Sequence, residues 1–272
     1  MNRKEYHIVT SGISLFTNFL RKGRSEDLIK KYNLEKWLEK GYEEEIEEIT
    51  AHLESKSEIY EAFLEFIKRN PYQASAETNS LLKYCEYTKV SPWNITVKLF
   101  TTDTALGKFV AFIVKDYLAS QGFTIDGKPT TIKYFGWGVD FFEKALVEVL
   151  DNISQTILKA KEKNYLTALN ATGGFKPETT FAVIAALMSE VDRIYYIHET
   201  FKEIVILPGI PLAIKKEYAE LLAKFAEPVE KWFAKEHMHI TEYTILELKE
   251  KGLIEETPEG LKIKKWIKSM LI

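Results

Sequence analysis

A glycine-rich joint between an apolar run and an amphipathic stretch is the strongest chemical feature of the sequence. It reads "NATGGFKPETTF", residues 170–181. Glycine lets a backbone approach a ligand closely, and amides at the start of a helix bind anions. Lys176 adds a positive charge, and Pro177 suits a first helical turn. The joint is therefore expected to bind a phosphate, unless it is a plain strand-to-helix turn with a surface lysine. The residues concerned are Thr172, Gly173, Gly174, Phe175 and Lys176.

The spacing of this joint differs from the common nucleotide-binding motifs. It matches neither Gly-x-x-x-x-Gly-Lys-Ser/Thr nor Gly-x-Gly-x-x-Gly. The sequence therefore gives no support to ATP hydrolysis or hydride transfer.

Two further polar clusters follow apolar runs that read as strands. The first is Thr10-Ser11-Gly12 with Ile13, and the second contains Thr102 and Asp103. Ser11 is able to donate a hydrogen bond to a phosphate or hydroxyl, although capping a helix is the more common role of such a serine. The expected ligand contacts are Thr10, Gly12, Ile13, Thr102 and Asp103. Trp137, after another apolar run, either packs in the core or stacks on a base.

Two histidine patterns are weaker candidates for catalysis. Arg193 and His198 have the Arg-x4-His spacing of some metal-independent ribonucleases. On a strand their side chains would point to opposite faces, which argues against a catalytic pair. His237 and His239 lack a third metal ligand at a recognisable spacing, so a surface turn is the better interpretation. We expect neither a metal nor a cofactor.

The elements that position these residues alternate between strand and helix. Strands are expected near residues 6–9, 95–104, 130–138 and 165–174, followed by a hairpin of two short strands. This order predicts an α/β fold, with a Rossmann-like, mostly parallel sheet and helices on both faces. Ligands of such sheets bind beyond the carboxyl ends of the strands, so the three polar clusters should converge there.

The chain divides into two predicted domains. Residues 1–212 would form the Rossmann-like domain, with a helical insert at about 25–90. Residues 213–272 read as a linker helix and a winged helix-turn-helix. Residues 228–272 contain eight Lys, eight Glu and no Arg. DNA binding is not expected of a neutral segment, and a dimerisation or lid role is favoured.

Composition limits the remaining classes of protein. The chain has 272 residues, a net charge of −3 and one cysteine, Cys85, which excludes an internal disulfide framework. The apolar runs are too short for a membrane span and no signal sequence is evident, so a cytoplasmic protein without a membrane partner is expected. Many Lys and Glu with only three Gln are typical of thermophile proteins.

Four segments together resemble the CRISPR-associated Rossmann-fold (CARF) family. They are "HIVTSGISLFTNF", "TTDT", "NATGGFK" and "VILPGIP", and the resemblance covers about residues 5–210. The element strand–Thr-Gly-Gly-Phe-Lys–helix is its most specific part. A neutral winged-helix tail without a ribonuclease domain is similar to that of the ring nucleases of archaeal type III CRISPR systems.

This resemblance implies a homodimer that binds cyclic tetra-adenylate across its two-fold axis. Ser11 and Lys176 match the family's functional residues. A 2′-hydroxyl of the substrate would attack the adjacent phosphate without a metal, giving linear di-adenylate with a 2′,3′-cyclic phosphate and ending the antiviral signal. Two alternatives stay open: a sensor that binds the ring without cleaving it, and a ligand-gated transcription regulator.

Overall fold

The computed structural model describes residues 4–23, 25–38, 46–54, 57–134, 137, 139–174, 176–198 and 202–268. The chain forms two compact units, Met1–Ile210 and Pro211–Ile272. Among the described residues, no helix combines the length and the apolar character needed to cross a membrane.

A seven-stranded sheet forms the centre of the first unit. Its strands are β1 (Glu5–Ser11), β2 (Ile95–Thr102), β3 (Thr124–Ile125), β4 (Thr130–Ile132), β5 (Leu166–Asn170), β6 (Arg193–Ile197) and β7 (Ile204–Pro208). The order is β3-β2-β1-β5-β6-β7, and β4 also pairs with β2. Every pairing is parallel except β6 with β7, so the predicted mostly parallel sheet and its antiparallel hairpin are confirmed.

Helices cover both faces of this sheet. They are α1 (Ser14–Lys22), α2 (Glu26–Lys31), α3 (Ile46–Glu54), α4 (Glu58–Arg69), α5 (Pro71–Ala74), α6 (Ala76–Thr88), α7 (Ala105–Ser120), α8 (Phe142–Glu162) and α9 (Lys176–Met188). Helices α6 and α7 pack on one face, in a core shared with α1 and α4, and α8 and α9 pack on β5. All seven residues of β1 are buried, as expected for a central strand covered on both sides.

Aromatic residues fill the core of the helical segment between β1 and β2. The Phe19 and Phe63 rings stack with centroids 3.9 Å apart, and Phe16 stacks on Phe63 and Trp37. This packing fixes α1 and α4 beside the sheet, and α1 begins at the polar cluster that follows β1.

The strand predicted at residues 130–138 ends early, at Ile132. Tyr134 has a left-handed backbone (φ +75°), and its N–H donates to the Asp103 carboxylate at 2.8 Å. This turn ends the strand, so the longer prediction is wrong. A second short strand, β3, pairs with the start of β2 and was not predicted.

The second unit has its own elements and its own core. They are α10 (Lys216–Ala223), α11 (Lys231–Glu236), α12 (Glu242–Glu250), β8 (Ile254–Thr257), β9 (Gly260–Ile263) and α13 (Lys265–Lys268). Strands β8 and β9 form an antiparallel hairpin. Thr241 caps α12, because its side-chain oxygen accepts the Thr244 N–H at 3.1 Å. Leu222, Phe225, Ile245 and Leu248 are among the residues of this core.

Candidate functional site

The candidate site lies where the order of the strands reverses. From β1 the chain builds outward through β2 on one side, and it returns to β5 on the other side of β1. Ligands of open α/β sheets bind at this switch point, beyond the carboxyl ends of the strands. A cavity of about 410 Å³ opens there, and we name it the switch-point cavity. Its lining residues are Gly12, Ile13, Ser14, Thr17, Ala76, Glu77, Thr102, Thr172, Gly173 and Gly174.

Both glycines of the joint have structural reasons to be glycine. A Cβ on Gly173 would lie 2.4 Å from Glu77 Oε1 and 2.7 Å from the Thr10 carbonyl oxygen. Gly174 has a φ of +98°, a conformation that other residues rarely adopt. Within the described part of the chain, neither glycine's N–H has a hydrogen-bond acceptor. Within that part of the chain, both amides of the joint are therefore available as donors at the cavity that the two glycines line.

Three helices begin around this cavity. Ile13 precedes α1, Ala76 begins α6, and Gly174 lies two residues before α9. The N-termini of α1 and α6 face the Glu77 carboxylate, whereas the start of α9, which carries roughly half a positive charge, favours an anion at the joint. Lys176 is the first residue of α9, which places its backbone at this edge; its side chain and all of Phe175 lie outside the described residues.

Glu77 is a site residue that the sequence did not reveal. It is fully buried, and its carboxylate accepts hydrogen bonds from the Gly12 N–H at 2.8 Å, the Ser14 hydroxyl at 3.1 Å and the Ser75 hydroxyl. The N-termini of α1 and α6 offset the cost of burying this charge. Glu77 therefore joins the turn after β1 to α6. Its link to Gly12 depends on a contact 65 residues away in sequence, which no local motif signals.

Two contacts of Gly12 and Thr10 show what these residues do in the structure. The Gly12 N–H donates to Glu77, so it is not available to a ligand. The Thr10 hydroxyl donates to the Gly173 carbonyl oxygen at 2.7 Å, and Thr10 is buried. Both residues therefore hold the two turns together, while Ile13 and Thr102 line the switch-point cavity.

The Asn170 side chain holds the start of the joint in place through hydrogen bonds. It is fully buried at the end of β5, and its Oδ1 accepts the Thr172 N–H at 3.2 Å and the Ser80 hydroxyl at 2.9 Å. The Thr172 hydroxyl accepts the Ile197 N–H at 3.2 Å. These bonds fix the start of the joint between β5, α6 and β6.

Ser11 is the last residue of β1 and does not cap α1. It lies beside Thr101 of β2, and both side chains are buried with hydroxyl oxygens that have no hydrogen-bond partner among the described residues. Ser11 does not line the switch-point cavity. The structure thus places Ser11 next to the cavity-lining Gly12 but outside the cavity.

The comparison with protein families bears on the same part of the chain. Residues 72–210 match the model of a family described as "CRISPR-associated protein (Cas_APE2256)". The matched span is 139 of 272 residues (210 − 72 + 1). The chain belongs to this CRISPR-associated family. The span includes Glu77, Thr102 and the glycine joint, and it ends with the edge strand β7 and the two residues after it.

Two predicted ligand contacts of this CRISPR-associated protein lie elsewhere. Asp103 is buried and accepts the Tyr134 N–H. Trp137 is 42% exposed and packs on Tyr134 and Phe141. Neither residue lines the switch-point cavity.

Arg193 and His198 do not line the switch-point cavity. Arg193, at the start of β6, bonds to Glu5 and Tyr84, whereas His198 follows the end of that strand. They do not form a pair. In the described part of the chain, no group of three or more His, Cys, Asp or Glu is arranged to hold a metal.

A buried polar cluster lies at the opposite end of the strands. His7 is fully buried, with Nε2 3.0 Å from Glu5 Oε2 and Nδ1 2.9 Å from the Tyr195 hydroxyl. Burial lowers the pKa of His7 and keeps its ring neutral. Burial opposes ionisation of Glu5, but hydrogen bonds from His7 and Tyr84 and the charge of Arg193 leave its pKa below the ordinary value. This cluster ties β1 to α6 and β6.

Proposed function

We propose that the protein is a ring nuclease that binds cyclic tetra-adenylate and cleaves it, ending type III CRISPR signalling. The observation that carries the proposal is the pair of free N–H donors of Gly173 and Gly174, in a cavity where three helices begin. Membership of a CRISPR-associated family and the resemblance of the joint to the CARF motif support the same ligand.

The phosphate would lie against the glycine joint. The two glycine amides and the start of α9 would hold its oxygens, and Lys176 would neutralise the charge that develops during the reaction. Glu77 would act as a positioning residue, because its three hydrogen bonds set the distance between the turn after β1 and the joint.

The reaction uses a nucleophile that the substrate carries. The ribose 2′-oxygen forms a bond to the adjacent phosphorus and loses its proton, while the bond from phosphorus to the 5′-oxygen breaks and that oxygen gains a proton. Two such cuts convert the ring into two linear di-adenylates that end in 2′,3′-cyclic phosphates. The protein's part is to align the attack and stabilise charge.

A homodimer would complete the site around the ring. The eight residues from Phe181 to Met188 in α9 are all apolar, and Ile184 among them is 36% exposed. A helix that is apolar all round is normally covered by protein. Because α9 follows the joint directly, a second copy packed here would bring a second cavity to the same ligand.

We assign the second unit a winged-helix fold without a DNA-reading role. Among the described residues of this unit, six lysines form ion pairs with glutamates, which offset their charge toward phosphate. They are Lys216, Lys231, Lys235, Lys249, Lys251 and Lys268. This pairing argues against the transcription-regulator alternative.

The sensor alternative has one observation in its favour. Ser11 lies outside the cavity lining, so its hydroxyl would have to become accessible before it could orient a substrate. Binding without cleavage would need no such change.

A single-turnover assay separates these functions. Protein in excess over labelled cyclic tetra-adenylate is incubated with EDTA, alongside Lys176→Ala and, as a lysine control on the remote β2 surface, Lys98→Ala. A ring nuclease gives linear di-adenylate with a cyclic phosphate in the wild type and Lys98→Ala, and not in Lys176→Ala. Intact ring that stays bound to the protein would support the sensor, and ring that neither binds nor reacts would refute both.

A further inference from the structure

A second cavity, about 570 Å³ in volume, lies beside the switch-point cavity. Its lining residues are Ala76, Asn79, Ala171, Thr172, Tyr196, Ile197, His198 and Lys202. The volume is within the range of small-molecule sites, roughly 300–1,000 Å³. The two cavities share Ala76 and Thr172, so one ligand is able to occupy both.

Asn79 carries an unmet hydrogen-bonding requirement in this second cavity. It lies on α6, one turn after Ala76, and is half-buried. Its side-chain Oδ1 is buried and has no donor within the described residues. Buried polar atoms in folded proteins are nearly always paired, so this oxygen lacks a donor. Asn79 lines the cavity, and a half-turn of its carboxamide would bring the covered oxygen to the cavity, where a ligand would donate a hydrogen bond to it.

We propose that this second cavity binds an adenine base, and that Asn79 determines the preference for adenine. A carboxamide is suited to adenine because its oxygen accepts from the 6-amino group while its nitrogen donates to a ring nitrogen. The half-buried Tyr196 ring adds an aromatic surface on the cavity wall of the kind on which bases stack. The inference rests on the proposed function, because the phosphate of the same nucleotide lies in the switch-point cavity.

The two cavities meet on α6. Ala76 lines both cavities and Asn79 lines only the second, and the two residues are about 4.5 Å apart along the helix axis. The Thr172 backbone lies between the cavities and is fixed by Asn170, so both subsites have a defined position relative to each other. Lys202 adds a positive charge at the outer side of the second cavity.

The test compares two rings that differ at the atom Asn79 is proposed to recognise. Cyclic tetra-inosinate carries a 6-oxo group, which cannot donate to Asn79 Oδ1. Binding of cyclic tetra-adenylate and cyclic tetra-inosinate is measured by calorimetry for the wild type, Asn79→Ala, Asn79→Ser and Asn152→Ala. Asn152 is a matched, half-buried helical control on α8. Thermal unfolding confirms that each variant is folded.

The expected result is a preference for the adenylate ring in the wild type and Asn152→Ala, by about 5- to 150-fold. Both Asn79 variants should lose most of this preference while still binding either ring. Unchanged preference in folded Asn79 variants would overturn the assignment of Asn79 and leave the proposed function intact. No binding of either ring to the wild type would instead overturn the proposed function, and this inference with it.

Discussion

Replacing Gly173 with alanine tests the geometry of the joint most severely. The new Cβ would lie 2.4 Å from Glu77 Oε1 and 2.7 Å from the Thr10 carbonyl oxygen. Glu77 cannot swing aside, because it is buried and held by hydrogen bonds from Gly12, Ser14 and Ser75. The Thr10 carbonyl oxygen cannot move aside either, because it belongs to the backbone of the central strand β1. The joint itself must therefore shift.

The size of the effect follows from these contacts. Overpacking a well-packed site costs typically 1–3 kcal/mol, and two contacts with fixed atoms place Gly173→Ala near about 3 kcal/mol. At about 2–4 °C per kcal/mol for a unit of this size, the melting temperature should fall by about 6–12 °C. A displacement of about 1 Å at the phosphate also reduces turnover by about 100-fold.

Gly127→Ala provides the control. Gly127 has a positive φ, +68°, unlike Gly173, and the nearest atom to its Cβ position is Lys98 Nζ at 3.9 Å. This variant should lose about 1–2 kcal/mol from backbone strain and keep full activity on cyclic tetra-adenylate. The double variant Gly173→Ala/Glu77→Ala should be less destabilised than the sum of its parts, because one of the two clashes is gone. Wild-type stability and turnover in Gly173→Ala would refute the reasoning.

Three further predictions concern other parts of the first unit. Glu77→Gln replaces a carboxylate that accepts three hydrogen bonds, so the free energy of unfolding measured in urea should fall by about 1.5–3 kcal/mol, and the affinity for the ring should weaken. An unchanged unfolding free energy and an unchanged affinity would contradict the positioning role of Glu77. Burial lowers the pKa of His7 below its usual 6.5, so the contribution of His7 to stability is complete above pH 6.5 and is lost as the pH falls. His7→Gln should therefore reduce the fall in melting temperature on acidification. An unchanged slope of melting temperature against pH would exclude His7 as its source. Ile184→Asp places a charge on the apolar face of α9, so this variant should sediment as a monomer, whereas the control Leu158→Asp on α8 should remain a dimer. A dimer of Ile184→Asp would show that α9 does not form the interface.

Much of the fold could be predicted from local pattern. The apolar runs that became β1, β2, β5 and β6 have the length and bounding residues of buried parallel strands, and the glycine joint marks a strand-to-helix transition. The end of β4 was less predictable. Three of the five residues after Ile132 are aromatic, but a contact between Tyr134 and Asp103, 31 residues apart, turns the chain away from the sheet.

The loops that line the site could be predicted from the sequence, but the residues that α6 contributes to it could not. Glycines and small polar residues at strand ends identified the loops that line the cavity. Glu77 and Asn79 come from α6, which reads as an ordinary helix, and only the packing of α6 beside β5 and β6 brings them to the joint. The burial of Ser11 follows from two more residues of strand pairing than the predicted strand at 6–9, since β1 runs to Ser11 beside Thr101.

Calorimetric titration of the protein with cyclic tetra-adenylate tests the central claim most directly. If the switch-point cavities of two copies hold one ring, the titration saturates at one ring for every two chains, and Lys176→Ala weakens the affinity. Absence of binding, or equally tight binding of a linear tetra-adenylate with one site per chain, would contradict the account.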